Sequence, residues 1–183
     1  MGEILYREEN RMKYDEDYYY NLLKMQSEHA EHISEIRWKF VKECRVRYVL
    51  DYGSGVGFFK AFAPPQVYVD TYDIGPYVTT GINRDVYDLV CLWDVLEHIS
   101  HIDDQMSNLF GKTRHVALTI PMLPKKKDMK IWKHFKPAEH LHFFDDKTLD
   151  ALFDRYGFER IKSGYPECPP REDVESILYG RKE

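Results

Sequence analysis

The sequence predicts an α/β fold built on a mostly parallel sheet. Apolar, strand-like runs alternate with helix-like segments along the chain, which is typical of parallel sheets with crossover helices. Two of these runs, at 87–93 and 115–120, are almost wholly apolar, as central strands buried on both faces are. The 183 residues fit one compact domain. We expect a helical segment at 1–43 and the α/β domain at 44–183.

The helices are predicted from apolar spacing and from residues that stop a helix. Residues 14–43 carry apolar side chains at helical spacing without proline or glycine, which predicts one helix, continuous or broken once. Asp145 or Asp146 is a suitable N-cap for the segment 145–156, and Gly157 ends it. The predicted helices are 14–43, 58–62, a turn into a helix at 94–99, and 145–156.

The strands are predicted from short apolar runs bounded by glycine and proline. Pro64-Pro65, Gly75-Pro76 and Pro121 each separate one element from the next. The predicted strands are 47–52, 67–74, 87–93, 115–120, 158–161 and 174–179.

Composition and charge exclude several classes of protein. The formal net charge is -5, which argues against nucleic-acid binding through bulk charge. Cys44, Cys91 and Cys168 form no CxxC pair, so we expect reduced thiols and a cytoplasmic location. The polar N-terminus is not a signal peptide, and no apolar run approaches the ~20 residues that span a bilayer.

A glycine-rich turn follows the first predicted strand. Gly53, Gly55 and Gly57 would let a ligand approach the backbone closely. The dinucleotide pattern Gly-x-Gly-x-x-Gly requires a glycine where this chain has Phe58, and phenylalanine would obstruct helix–strand packing there. The turn therefore disfavours an NAD-dependent enzyme and suits a ligand without phosphates.

An acid at the end of the second strand can accept hydrogen bonds from both hydroxyls of a ribose. Asp73 closes that strand just before Gly75-Pro76, and Asp70 is the alternative. Asp73 could also be a turn residue that bonds to its own backbone. The glycine turn upstream favours the ribose-binding role.

These segments, in this order, resemble the class I S-adenosylmethionine-dependent methyltransferases, most closely the small branch with the ubiquinone-biosynthesis and sugar-modifying types. The resemblance extends from about residue 40 to the C-terminus, and its strongest part is the strand 87–93 followed by Asp-Val-Leu-Glu-His-Ile. The matching segments are 49–57, 72–74, 87–99, 139–144 and 156–158.

The resemblance implies a Rossmann-like three-layer sandwich whose last strand is antiparallel, with S-adenosylmethionine over the carboxyl ends of the strands. It implies that the glycines contact the methionine part, that Asp51 holds the turn and that Asp73 binds the ribose. Trp93 and Asp94 would lie near the methyl group. The implied cofactor-binding set is Asp51, Gly53, Ser54, Gly55, Gly57, Asp73, Ile74, Trp93 and Asp94.

The chain departs from this family between the ribose acid and the fourth strand. Residues 75–86 are too few for both a helix and a third strand, so we expect that region to be shortened or missing. The third strand is normally an edge strand, and its loss would leave the central sheet intact. Because it normally brings a residue to the adenine ring, Gly81, Ile82 or Asp85 would have to substitute.

Methyl transfer depends mainly on alignment of the two reactants and needs a base only for a weakly acidic acceptor. His98, His140 and His142 are the candidate bases, because imidazole titrates near neutrality. His140 and His142 alternate, so both could face one side of an extended segment. Glu139, His140 and His142 resemble a metal-ligand spacing, but without further ligands we expect no metal site.

Two segments have more than one interpretation. The basic, aromatic stretch 125–136 would flank the acceptor site and could bind a phosphorylated or acidic small molecule, or it is a solvated loop. The helix 14–43, with Tyr18-Tyr19-Tyr20, covers the cofactor site or only packs on the core. We expect an active enzyme with a small-molecule, hydroxyl- or sugar-like acceptor. The alternative is a non-catalytic cofactor-binding or scaffold module.

Overall fold

The computed structural model describes residues 16–75, 80–125, 129–169 and 171–183. Its helices are α1 (Glu16–Gln26), α2 (Ala30–Val41), α3 (Phe58–Ala61), α4 (Ile102–Phe110) and α5 (Asp146–Asp154), with 3₁₀ turns at Lys42–Cys44, Leu96–His98 and Met129–Ile131. Its strands are β1 (Tyr48–Tyr52), β2 (Tyr68–Tyr72), β3 (Tyr87–Trp93), β4 (Thr113–Pro121), β5 (Phe158–Gly164) and β6 (Val174–Arg181).

The strands form one sheet in the order β2-β1-β3-β4-β6-β5. Strands β1 to β4 are parallel, and β6 lies antiparallel between β4 and β5. This confirms the mostly parallel sheet and the antiparallel last strand. Strand β2 is at the edge, and residues 80–86 add no strand beyond it, so the third strand is absent from the described chain.

The two faces of the sheet bury separate apolar clusters, because side chains alternate along a strand. In β3, Val90 and Leu92 join the cluster under α4 and α5, whereas Leu89 and Cys91 join the cluster under α2 and α3. The ring of Phe153 in α5 stacks on Tyr179 of β6 with centroids 3.8 Å apart. Helices on both faces confirm the three-layer sandwich.

Several predicted boundaries change in the structure. The predicted helix 14–43 is two helices separated by a turn at 27–29, and its first residues lie outside the described chain. The turn into a helix at 94–99 is only a 3₁₀ turn. Helix α4 was missed, although Ile102, Met106, Leu109 and Phe110 have helical spacing. Asp145 caps α5 by accepting a hydrogen bond from the Thr148 amide, as predicted.

The three cysteines are thiols, as predicted. Every helix in the described chain is too short or too polar to cross a membrane.

Candidate active site

The turn between β1 and α3 is formed by glycines that no other residue replaces easily. Gly53, Gly55 and Gly57 have φ angles of 78°, 55° and 82°, in the left-handed region that side chains disfavour. A Cβ on Gly53 would lie 2.3 Å from a methyl carbon of Val95. The backbone conformation and the packing after β3 therefore both require glycine at position 53.

The carboxylate of Asp73 faces this turn. Its Oδ2 accepts a hydrogen bond from the amide of Gly55 at 2.7 Å, and its Oδ1 accepts one from the amide of Gly75 at 2.9 Å. The bond to Gly75 is the local Asx-type turn considered above, but the bond to Gly55 joins the ends of β1 and β2. The alternative acid, Asp70, instead accepts a hydrogen bond from Tyr87 at 2.9 Å and pairs with Arg84.

Helix α1 lies over Asp73 and Gly75. The Tyr19 hydroxyl donates to Oδ1 of Asp73, and Tyr19 is only 2% exposed. Its ring lies so close to Gly75 that a Cβ there would be 2.1 Å from a ring carbon. Burial and the charge of Asp73 raise the pKa of the neighbouring Tyr18. A protein hydroxyl therefore occupies the Asp73 oxygen that a ribose would use.

Asp51 is buried beneath the turn. It is 2% exposed, and burial raises its pKa to about 7; the charge of Arg37 opposes that rise, and the charge of Asp73 adds to it. The amides of Gly53 and Ser54 both donate to the Tyr72 carbonyl, at 2.7 and 3.1 Å. These main-chain bonds hold the turn against β2.

A group of four charges surrounds the end of β3. Asp94, at a φ of 60°, accepts hydrogen bonds from Arg171 at 2.6 Å and Arg37 at 3.2 Å. Both arginines also pair with the buried Glu167. Burial would raise the pKa of Asp94, but the two arginines outweigh it and hold that pKa below its usual value. Trp93, expected near the methyl group, has its ring in the core, 5.0 Å from the Arg37 guanidinium.

Sequence reasoning missed Arg37, Glu167 and Arg171. They lie on α2 and in the loop before β6, and their pairings with one another across elements and with Asp94 join residues 57 to 130 positions apart; only Arg171 and Glu167 are near in sequence. No local pattern marks such contacts. Arg37 does stand in a helix of mixed polar and apolar residues, but nothing there distinguishes it from a solvated charge.

The three candidate histidines have different environments. His98 Nδ1 is 2.8 Å from the Glu139 carbonyl, and the rings of His98 and His140 meet edge to face with centroids 4.8 Å apart. Burial lowers the pKa of both, that of His140 to about 4, so both are neutral at pH 7. His142 bonds to the Ile99 carbonyl at 2.8 Å and lines a separate cavity of about 360 Å³.

His140 and His142 alternate in the sequence, but their rings do not reach one site. The Glu139 carboxylate pairs with Lys136 at 3.2 Å, so Glu139, His140 and His142 do not assemble as ligands. Beside His98 and His140 lies Glu97, which belongs to the Asp-Val-Leu-Glu-His-Ile motif but was given no role in the sequence analysis. It is 2% exposed, and its Oε2 has no hydrogen-bond partner among the described residues. Burial and the nearby charge of Asp94 raise the pKa of Glu97 well above its usual value.

The basic segment is only partly described, because residues 126–128 lie outside the described chain. Trp132 is buried, whereas Lys125 and Lys133 are exposed. Lys125 and Asp146 line, with others, a second cavity of about 460 Å³ beside α5.

Comparison with known proteins decides the family. Residues 23–163 match a family model described as a methyltransferase domain. This chain is a member of that methyltransferase family. Membership confirms the resemblance to the S-adenosylmethionine-dependent methyltransferases, the enzyme class and the cofactor inferred from it. Among curated protein sequences, none matches this methyltransferase significantly.

Solved structures share the fold of this methyltransferase at low sequence identity. Mitomycin 7-O-methyltransferase MmcR has a TM-score of 0.68 and 11% identity, over 90% of this chain and 56% of that one. Magnesium protoporphyrin IX methyltransferase (ChlM) from Synechocystis PCC 6803, with bound SAH, has 0.62 and 16%, over 83% of each chain. An S-adenosylmethionine-dependent methyltransferase from Archaeoglobus fulgidus has 0.66 and 15%, over 90% of this chain and all of that one. The chain thus spans little more than half the length of MmcR.

Proposed function

We propose that this methyltransferase binds S-adenosylmethionine between the 53–57 turn and Asp73, and transfers its methyl group to a hydroxyl of a small-molecule acceptor. One observation carries the proposal: the Asp73 carboxylate faces the turn, with Oδ2 2.7 Å from the Gly55 amide. A carboxylate at that place can accept both ribose hydroxyls while the backbone of the glycines lies against the rest of the ligand.

The remaining cofactor contacts follow from the ends of the strands. Ile74, next to the ribose acid, is 71% exposed and is available to the adenine ring. Gly81 and Ile82 remain candidates for the same ring, since the Gly81 amide bonds to Thr71 at the end of β2. Asp94 lies at the carboxyl end of β3, where the methyl group would be presented. Asp51, buried beneath the turn, and Ser54, within it, complete the proposed cofactor-binding set.

Neutral histidines suit a hydroxyl acceptor. Burial lowers the pKa values of His98 and His140, so both rings are neutral at pH 7. Each can therefore take up the proton of the hydroxyl group that is methylated. A pKa of about 4 makes His140 a weak base, and His98 is the base that we propose. His142, engaged by Ile99, is a weaker candidate than the sequence implied.

The proposed acceptor is acidic or phosphorylated. Exposed cations, among them Lys125 and Lys133, lie in the segment after β4 that would flank it. The similar structures include O-methyltransferases and a porphyrin methyltransferase, which supports small organic acceptors. With its three thiols unpaired, we place the protein in the cytoplasm.

A second function has a specific observation in its favour. The hydroxyl of Tyr19 occupies Oδ1 of Asp73, and the described chain has no third strand to bring a residue to adenine. A chain that has lost cofactor binding but kept the fold as a scaffold would show both features.

Calorimetric titration separates these functions. The proposed function requires saturable binding of S-adenosylmethionine and of S-adenosylhomocysteine, and none of NAD. Mass spectrometry of a panel of hydroxylated acids and sugar phosphates incubated with protein and cofactor then detects a gain of one methyl group. If none of the three ligands binds, the result supports the scaffold function. If NAD alone binds, the methyl-transfer proposal fails.

A further inference from the structure

Glu97, His98 and His140 converge next to the end of β3. Each offers one potential ligand atom, and these atoms lie within 4.8 Å of one another, with Glu97 Oε1 3.9 Å from His98 Nε2. The three residues come from two segments more than 40 positions apart. Binding of a cofactor at the glycine turn, whether NAD or a methyl donor, does not explain a buried carboxyl group at this place.

The Glu97 carboxyl group is the unexplained element of the cluster. It is 2% exposed, and Oε2 has no hydrogen-bond partner among the described residues. Buried polar atoms are nearly always paired, since an unpaired one costs roughly 1–3 kcal/mol. This buried carboxyl oxygen, beside two imidazole rings, is therefore available as a ligand atom.

Both imidazoles are held as metal-binding histidines are. Because a carbonyl oxygen only accepts, His98 Nδ1 must donate its hydrogen to Glu139, which leaves a lone pair on Nε2. The His140 ring has a backbone hydrogen bond with His134, which occupies one of its two nitrogens. Metal-ligating histidines typically donate their second nitrogen in this way, which fixes the orientation of the ring.

The backbone keeps the two segments in place. The Glu97 carbonyl accepts hydrogen bonds from the amides of Leu141 and His142, at 2.7 and 3.2 Å. These bonds attach the chain around His140 to the 3₁₀ turn that carries Glu97 and His98. The cluster is thus fixed by main-chain bonds and does not depend on side-chain contacts alone.

The charges around the cluster are mixed. Asp94 acts on both Glu97 and His98, and Glu139 acts on His98 and His140; both acids favour a bound cation. Arg171 and Lys136 oppose it. Asp94 itself is already paired with two arginines, so the cation would be held mainly by its direct ligands.

We propose that Glu97, His98 and His140 form a site for one divalent transition-metal ion, with Zn²⁺ as the preferred ion. Two imidazole nitrogens and one carboxylate oxygen are a ligand set typical of zinc sites that keep one position open. With zinc–ligand bonds of about 2.0–2.2 Å, tetrahedral ligand atoms lie roughly 3.4 Å apart, so the side chains must close by about 1 Å on binding. His98, the most exposed of the three, marks the open side.

If the proposed methyl transfer is correct, and this step depends on it, the open position lies on the acceptor side of Asp94. While its Nε2 lone pair is on the cation, His98 does not act as the base; a cation-bound acceptor hydroxyl would have a lower pKa and would release its proton to solvent. Metal binding itself does not depend on the proposed function, and the experiment below contains no methyl donor.

The test is a titration of untagged, chelator-treated protein with Zn²⁺ by calorimetry, and with Co²⁺ by visible absorption. We expect one ion per chain. Loss of a group that merely orients a ligand typically weakens metal binding 10–100-fold, so His140→Ala and Glu97→Gln, which remove ligands, should weaken it by roughly 100-fold or more. The matched control is His142→Ala, which removes a neighbouring imidazole that bonds to the Ile99 carbonyl and lies outside the cluster, and it should leave affinity unchanged.

A second measurement requires no substitution. X-ray absorption of the zinc-loaded wild-type chain should show two imidazole ligands and oxygen. Circular dichroism identifies a variant that fails to fold. In that case the remaining folded ligand variant and the X-ray absorption spectrum of the wild type test the metal site. The proposal is overturned if wild-type protein binds no Zn²⁺, if folded His140→Ala and Glu97→Gln bind it as tightly as wild type, or if His142→Ala abolishes binding.

Discussion

Replacing Tyr19 with phenylalanine should tighten the binding of S-adenosylmethionine. The Tyr19 hydroxyl bonds to Oδ1 of Asp73, the oxygen that the ribose is proposed to use, so this bond must break before the ribose can bind. A hydrogen bond to an ionised group contributes about 1.5–3 kcal/mol. Phenylalanine retains the ring that packs on Gly75 and removes only the competing donor.

The expected gain is smaller than the full bond, because water takes the vacated place on Asp73. We expect a gain of about 1.4 kcal/mol, which is a tenfold lower dissociation constant. Calorimetry of wild type, Tyr19→Phe and Tyr20→Phe at one temperature and salt concentration measures it. Tyr20 lies on the same helix but is 68% exposed, so its variant should bind like wild type. An unchanged or weaker affinity in Tyr19→Phe would refute the competition between this hydroxyl and the ribose.

Three further substitutions test the site independently. Asp51→Asn should flatten the pH dependence of stability. The pKa of Asp51 is about 7 in the folded protein and about 3.9 in the unfolded chain, so the native state holds an extra proton between these pH values. Wild type therefore loses stability as pH rises through this range. The whole loss is on the order of 4 kcal/mol, of which roughly 2.7 kcal/mol falls between pH 5 and pH 8, where urea unfolding measures it; parallel profiles for the two proteins would contradict it. Gly53→Ala should lower the unfolding free energy by more than ~1 kcal/mol through the clash with Val95, and a wild-type melting temperature would argue against the turn geometry. With a hydroxyl acceptor, His98→Gln should lower kcat by about 100-fold while His142→Gln stays near wild type, and equal losses would disprove the distinction between them.

The sequence was sufficient for features encoded over a few residues. The order of the apolar runs predicted the parallel sheet, and Gly53, Gly55 and Gly57 predicted a turn after the first strand, which the structure has with all three at positive φ. Asp145 was predicted as a cap because capping depends on the next three residues alone.

Features formed by distant segments could not be predicted in this way. Tyr19 reaches Asp73 across 54 positions and Arg171 reaches Asp94 across 77, and nothing in either segment encodes its partner. The histidines show the same limit. Their alternation suggested a shared site for His140 and His142, but tertiary packing sends His140 to His98 and His142 to Ile99.

The ribose contact of Asp73 is tested most directly by comparing two aspartates of the same strand region. Asp73→Asn keeps the size of the side chain but removes the charge that would bind the ribose, whereas Asp70→Asn changes an acid that bonds to Tyr87 and Arg84 instead. Calorimetric titration with S-adenosylmethionine should show roughly 10- to 100-fold weaker binding for Asp73→Asn and wild-type binding for Asp70→Asn. Wild-type affinity in folded Asp73→Asn, or a loss confined to Asp70→Asn, would contradict the account.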